Sequence, residues 1–481
     1  MQQLRFQLTF GRWDQHADFW RRSQSHGWYG RHPIAKLFRD GHADVQRTMA
    51  LRGFGDDTSV RRTMSMGVMH WSSDLRVQAA SMLTKVPFYM FPEHFDPEFR
   101  QADRQAKDKK HGDCEFHLHK AFTWSMDCLL HGQHPELDHL QQKFPPGSRM
   151  DTLAGTKMPF RAVCVGTICD WKWAKEAFSL PWYYRTDEVC HLCRRHVSEI
   201  GVVGELAPLR GDDEYWAQAN APLAHLEGWS LQHVFPDPMH AGALGICQEL
   251  VGSVLIDIIN EGQIFGPLRA RGTFQVKIQE KLDVAYESFV KYCKDNHLEH
   301  AQPRFTVCSL NLITKSKSWP RLKAKAHNTL QVQHWLAALL QAHDDWRSTD
   351  LAHLRCGTVW GFHTMFFVCR QAADPNWLSA AERLRFLSAA DIALHGYNAL
   401  SAAAFLLRHV PRYALKPKLH MLVHLRMDVA ETSRNVCARW CFQDEDNLQY
   451  LKKIAQSMHP GKVGFALEKW ALNFYLHFNQ L

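Results

Sequence analysis

No apolar run that crosses a bilayer is expected in the chain. Its most hydrophobic stretches, Leu250 to Ile259 and Ala402 to Leu407, fall short of the roughly 18 residues a span requires, and polar residues flank both. The first residues, Met1-Gln-Gln-Leu-Arg-Phe, lack the continuous apolar core of a secretory signal, so an intracellular setting without a membrane partner is expected. No repeat period is evident and no DNA-binding module is legible. Basic residues are not concentrated either. The 57 Lys and Arg are dispersed, so the net charge of +8 favours a polyanionic partner only weakly. Thirteen cysteines cannot all pair with one another, and reduced thiols are expected.

What is present suffices for a large core. The 481 residues are 46% hydrophobic, room for two to four domains or for one domain with a long insertion. The stretch that organises the rest is Pro159 to His196, which opens on an apolar run ending at Asp170. Its short β-branched apolar run predicts a buried strand, and a carboxylate at the C-terminal edge of such a strand sits where α/β sheets hold ligands and metals. Asp170 is also a favoured N-cap for the helix that Trp171-Lys172-Trp173 begins, and both readings stay open.

Upstream, Ile34 to Phe38 and Met64 to Trp71, separated by turn-rich Gly53-Phe-Gly-Asp-Asp57, predict a hairpin whose first strand ends near Asp40 and Asp44. Residues 1–35 have no assignable fold, and Glu93 to Gly112 reads as a solvated helix and loop. Phe116 to His131 has helical spacing and predicts a helix packed on the sheet. From Ala241 to about Val410 the period is helical throughout. The expected organisation is therefore a lead-in (1–35), an α/β core (36–240), a helical insertion (241–435) and a returning C-terminal segment (436–481).

Cys190-His-Leu-Cys193-Arg-Arg-His196 has the donor types of a structural Zn²⁺ knuckle, with His225 or His233 as candidates for the fourth ligand. His420 and His424 share a helix face. Met421 stands where a metalloprotease helix needs Glu, which excludes that chemistry. Asp444-Glu445-Asp446 opens a helix, where the dipole favours carboxylates.

Taken in order, these motifs resemble the transposases of CACTA-type elements. The match rests on the strand ending in Asp170, the Cys-x-x-Cys at Cys190 and Cys193, Asp237-Pro-Met-His240, His420-Met-Leu-Val-His424-Leu425, and Arg439-Trp440 with Leu451-Lys452 around Glu445. The resemblance implies an α/β (α+β) fold: an RNase H-like mixed-sheet core with a long all-helical insertion before the final catalytic helix. It implies Asp170 and Glu445 as the second and third catalytic carboxylates, and Asp237 with His240 as an accompanying pair. The first carboxylate should lie on an early hairpin, which points to Asp44, with Asp40 and Asp127 as rivals. Mg²⁺ or Mn²⁺ at Asp170 and Glu445, DNA as partner, homo-oligomers and a nuclear location follow from the same resemblance. A catalytically dead transposon-derived nucleic-acid-binding or scaffold protein remains the alternative.

Overall fold

After Arg161, every residue to Cys169 is buried, and β-branched Val163, Val165, Thr167 and Ile168 suit a strand covered on both faces. In the computed structural model, which describes residues 7, 9–62, 64–76, 81–92, 113–312, 319–343, 349–408 and 411–480, this strand is part of a five-stranded mixed sheet. The strands are β1 (Thr48–Arg61), β2 (Met64–Ser73), β3 (Val86–Pro92), β4 (Arg161–Cys169) and β5 (Val234–Pro236), in the order β3-β2-β1-β4-β5. β1, β2 and β3 run antiparallel in sequence. β4 is parallel to β1, with Gly55 opposite Cys169, and β5 is parallel to β4, with Pro236 opposite Cys169. The segment Glu93 to Gly112 lies outside the described residues.

Both faces of the sheet are covered. On one, Met49, Leu51, Met69 and Cys164 meet Phe122 and Met126 of α2 (Asp113–His131) and Trp173 of α3 (Trp171–Ala177). On the other, Val60, Met66 and Val68 meet Leu448, Leu451 and Ile454 of α10 (Phe442–Gln456) and Trp470 of α11 (Ala466–Gln480). Each fully buried large apolar side chain contributes roughly 1.5–3 kcal/mol. Such faces hold short strands together. Before the sheet, α1 (Trp13–Ser23) docks on β1 through the Trp20 indole, which donates to the Thr48 carbonyl at 2.8 Å. The lead-in is thus part of the core.

The chain divides into two compact units. A sheet unit comprises 1–183, 209–237 and 438–481, and a helical unit comprises 184–208 and 238–437. The Cys-x-x-Cys segment therefore belongs with the helices, not with the α/β core as its sequence position suggested. In the helical unit, a π-helical turn at Met239–Ile246, broken at Gly245, leads into α4 (Cys247–Glu261). The run Met239–Glu261 is long and apolar enough to cross a membrane, but 94% of its most apolar window is buried within the protein. Asp257 on α4, itself buried, accepts from Arg412 and from the Tyr413 hydroxyl, with Arg355 at 3.5 Å. The remaining helices are α5 (Phe274–Asp295), α6 (Ala326–Ala342), α7 (Asp350–Gln371), α8 (Ala380–Arg408) and α9 (Pro417–Thr432).

Two expectations fail for physical reasons. Ile34 to Phe38 is not a strand: Pro33 occupies the first turn of a helix, Pro33–Arg39, and His32 caps it by accepting from the Ile34 amide. The stretch Gly53 to Asp57 is not a turn but the middle of β1. Its glycines are there for close approach, since a Cβ at Gly55 would lie 2.0 Å from the Trp173 ring.

His16 and His32 are both buried, and burial pushes each down to about 4. At His16, Nδ1 accepts from the Ala50 amide and Nε2 reaches the Phe10 carbonyl, a neutral-ring pattern. A depressed folded-state value means that the unfolded chain binds the proton first as pH falls. Stability that is complete above pH 6.5 should therefore be lost between pH 6.5 and 4, by about 3 kcal/mol per histidine. Urea unfolding across that range checks this, and His16→Gln should flatten the slope.

Candidate carboxylate edge and Cys2His2 centre

The parallel register fixes the first site. Gly55, Cys169 and Pro236 lie in one row across β1, β4 and β5, so the next residue of each strand, Asp56, Asp170 and Asp237, emerges at the same sheet edge. The buried Cys169 thiol reports this. Its value is pushed up first by burial and then by the charges of Asp170, Asp56 and Asp237. Asp56 shares the pleat of Arg52 and Val60, the face covered by α10, whereas Asp57 points the other way, 3.8 Å from Lys172 of α3. Asp170 caps α3, its Oδ1 accepting from the Trp173 amide at 2.6 Å. The cap and the strand-end carboxylate are one residue.

Glu445 lies on α10, a helix whose start is tied to this edge at Asp237. Asp237 accepts from both the amide and the thiol of Cys441, at 3.1 and 2.9 Å, and the Glu445 amide donates to the Cys441 carbonyl. Burial, Asp237 and Glu445, in that order, push the Cys441 thiol up. No three oxygens of Asp56, Asp170 and Glu445 gather within 4.8 Å among the described residues. Three like charges hold apart unless a cation joins them.

Next to Glu445, Asp444 is fully buried. It accepts from His70 at 2.8 Å and from Arg52 at 3.0 Å, with the Lys85 ammonium at 2.9 Å. Burial alone would raise its carboxyl, but Lys85, Arg52 and the His70 hydrogen bond outweigh that and hold it well below the usual range. Burial in turn pulls Lys85 down to about 8 against the pull of Asp444. Arg52 also donates to the Ala438 carbonyl, and His70 stacks on Phe54 at 4.7 Å. This clamp sets the first turn of α10 on β1 and β2.

The rivals for the first carboxylate lie elsewhere. Asp44 caps the short turn before β1, accepting from the Gln46 amide, at the opposite end of the strand from Asp56. Asp40 pairs with Lys36 on the surface. Asp127 accepts from the Glu227 amide in a cleft of about 830 Å³ beside α2, where burial raises it to about 6. The Gly-Phe-Gly-Asp-Asp context of Asp56 has the composition of a turn, which hides its place in β1. Alternation of Arg52, Phe54 and Asp56 was the signal available.

The second site lies wholly in the helical unit. Cys190, Cys193, His420 and His424 are buried, with one donor atom of each within 4.8 Å of all the others. Cys190 Sγ is 3.2 Å from His424 Nε2, Cys193 Sγ is 3.1 Å from His420 Nε2, and the two Nε2 atoms are 3.1 Å apart. A tetrahedral ion with bonds of about 2.3 Å to sulfur and 2.0–2.1 Å to nitrogen needs ligand edges of roughly 3.3–3.7 Å. The four donors therefore need to open only slightly. The Leu192 amide donates to Cys190 Sγ, as thiolates in such knuckles require. A hydrogen bond from Cys190, with those from His420 and His424, holds the Cys193 thiol well below its ordinary range against the effect of burial, and burial lowers His424.

His196 is not part of this group. It is exposed and caps the turn Val197–Glu199, contacting the Ser198 hydroxyl and amide. His225 pairs with Asn220 and His233 accepts from the Ser230 amide, both in the sheet unit. His240 lies in the π-helical turn of the helical unit. The i, i+4 histidines were visible in sequence, but no local signal connects them to a Cys pair more than two hundred residues earlier. No family model matches the chain, and a search of curated proteins returns no match.

Removing one member of a buried charge cluster strands the others. Asp444→Asn should cost about 3–5 kcal/mol, read as a fall in the urea midpoint at unchanged slope.

Proposed function

We propose that the chain is a transposase-like polynucleotidyl transferase with an RNase H-like core, cutting and joining DNA strands in the nucleus. The observation that carries this reading is the row that sets Asp56, in an early hairpin, and Asp170, at the end of β4, at one sheet edge, together with Glu445 on a helix that returns after a long helical stretch and is tied through Cys441 to Asp237 of the same row. This is the order the resemblance to CACTA-type transposases implies, with Asp56 in place of Asp44.

Asp56, Asp170 and Glu445 would hold Mg²⁺ or Mn²⁺, which hard carboxylate oxygens suit. Such ions, bound there, would supply activation of a water or 3′-hydroxyl and stabilisation of the leaving oxygen of a phosphodiester. The chain's own residues position them. Asp170 commits Oδ1 to the Trp173 amide, which fixes its orientation and leaves Oδ2 for a ligand. Asp237 has both oxygens engaged by Cys441 and so acts as an anchor for α10. Asp444 sets the helix turn that carries Glu445. Cys190, Cys193, His420 and His424 would hold a structural Zn²⁺, a closed four-ligand set with no position left for substrate.

Two measurements test this. Purified protein with labelled duplex DNA and Mg²⁺ or Mn²⁺ should nick or join strands, and Asp56→Ala, Asp170→Ala and Glu445→Gln should each lower the rate by ~10²–10³-fold or more, whereas Asp44→Ala should not. Wild-type protein that binds DNA but never cleaves it would leave the catalytically dead, nucleic-acid-binding reading in its place. Elemental analysis should find one zinc per chain, lost in Cys193→Ser and His420→Ala. Chelation should lower the melting temperature of the wild type to that of these variants. Zinc-free protein of full stability would count against the Cys2His2 assignment.

A further inference from the structure

Gln333 on α6 is 1% exposed, and neither its amide oxygen nor its amide nitrogen has a hydrogen-bond partner. Leaving such a donor and acceptor buried and unmade is costly, and none of the described residues relieves it. The side chain lines a pocket of about 100 Å³ between α6 and α7, where a single water needs only about 10–15 Å³. Aromatic planes form part of the wall. His334 of α6 and His363 of α7 stack at 4.6 Å, 10° from parallel, and Phe367, one helical turn beyond His363, lies 5.4 Å from it. Arg370, exposed, stands at the rim. All of these residues belong to the helical unit.

We propose that this pocket binds a nucleobase, adenine by preference, supplied either by a free nucleotide or by an unstacked base of DNA. A primary amide offers one donor and one acceptor side by side, the pattern with which Gln pairs to adenine, and base recognition of this kind combines such an edge with stacking on flat side chains. His363 supplies a neutral face for that stacking, because burial first, then His334, Arg370 and Arg385, push it down to about 4. Arg370 at the rim is placed to meet a phosphate attached to the base. The carboxylate edge takes no part in this, so the site stands or falls separately from the strand-transfer reading.

The test uses the full chain with its metal bound. Two probes are titrated: AMP, and a DNA duplex with one unpaired adenine, compared with the same duplex fully paired. Binding of AMP, read as a concentration-dependent rise in melting temperature, identifies a free nucleotide as the source. Tighter binding of the bulged duplex than of the paired one identifies an unstacked base. In either case Gln333→Leu should weaken binding at least tenfold while melting no lower than the wild type, since it removes an unsatisfied amide. His363→Ala should weaken the same binding and decides the matter if Gln333→Leu does not fold. The proposal is overturned if neither probe binds, or if both variants bind as well as the wild type; Gln333 would then be satisfied by water alone.

Discussion

A carboxylate with no access to water holds the sheet unit together. Asp444 comes from the far end of the chain, 392 positions beyond Arg52, and is met by three nitrogen groups from β1, β2 and the approach to β3. Each partner was desolvated to get there, so none can be left alone without a penalty of several kcal/mol. The entropy of closing so long a loop grows only logarithmically with its length. One well-made buried cluster, backed by the apolar contacts of Leu448, Leu451 and Ile454, is enough to bring α10 back. The position of Glu445 in the first turn of α10 is a consequence of that clamp.

The Cys2His2 group does comparable work within the helical unit by different chemistry. Residues 184–208 have almost no regular structure beyond the short turn Val197–Glu199 and isolated bridge residues, among them Glu188 paired with His196. Backbone hydrogen bonds such as Val189 to Arg195 shape the knuckle, and α9 supplies the other two donors. Four buried lone-pair donors aimed at one point gain nothing from each other that a cation would not improve.

How much of this could be read from residues alone follows from the range of each interaction. The strand Arg161–Cys169 and its Asp170 were legible because β-branched burial is a local property. The helical run after Ala241 was legible for the same reason. Asp56 was hidden because glycine has two meanings, turn and close contact, and only the Trp173 ring against Gly55 distinguishes them. His196 is the histidine nearest to the Cys pair in sequence, whereas the fold uses the distant His420 and His424. The placement of Cys190 and Cys193 among the helices was likewise invisible, since unit membership is a matter of long-range contact.

The interleaving of the two units has a consequence for biosynthesis. The helical unit is complete at Cys437, and its last metal-type ligand is His424. The sheet unit, begun first, still lacks α10 and α11 at that point, so Val60, Met66 and Val68 have no cover and Arg52 and Lys85 have no Asp444. Domains generally fold as units as they leave the ribosome. Here the second unit to be started is the first able to finish, and the nascent sheet must wait with one apolar face bare through roughly two hundred residues of translation, about 10–40 seconds at 5–20 residues per second. That interval makes the chain a natural client for a chaperone that shields an open sheet.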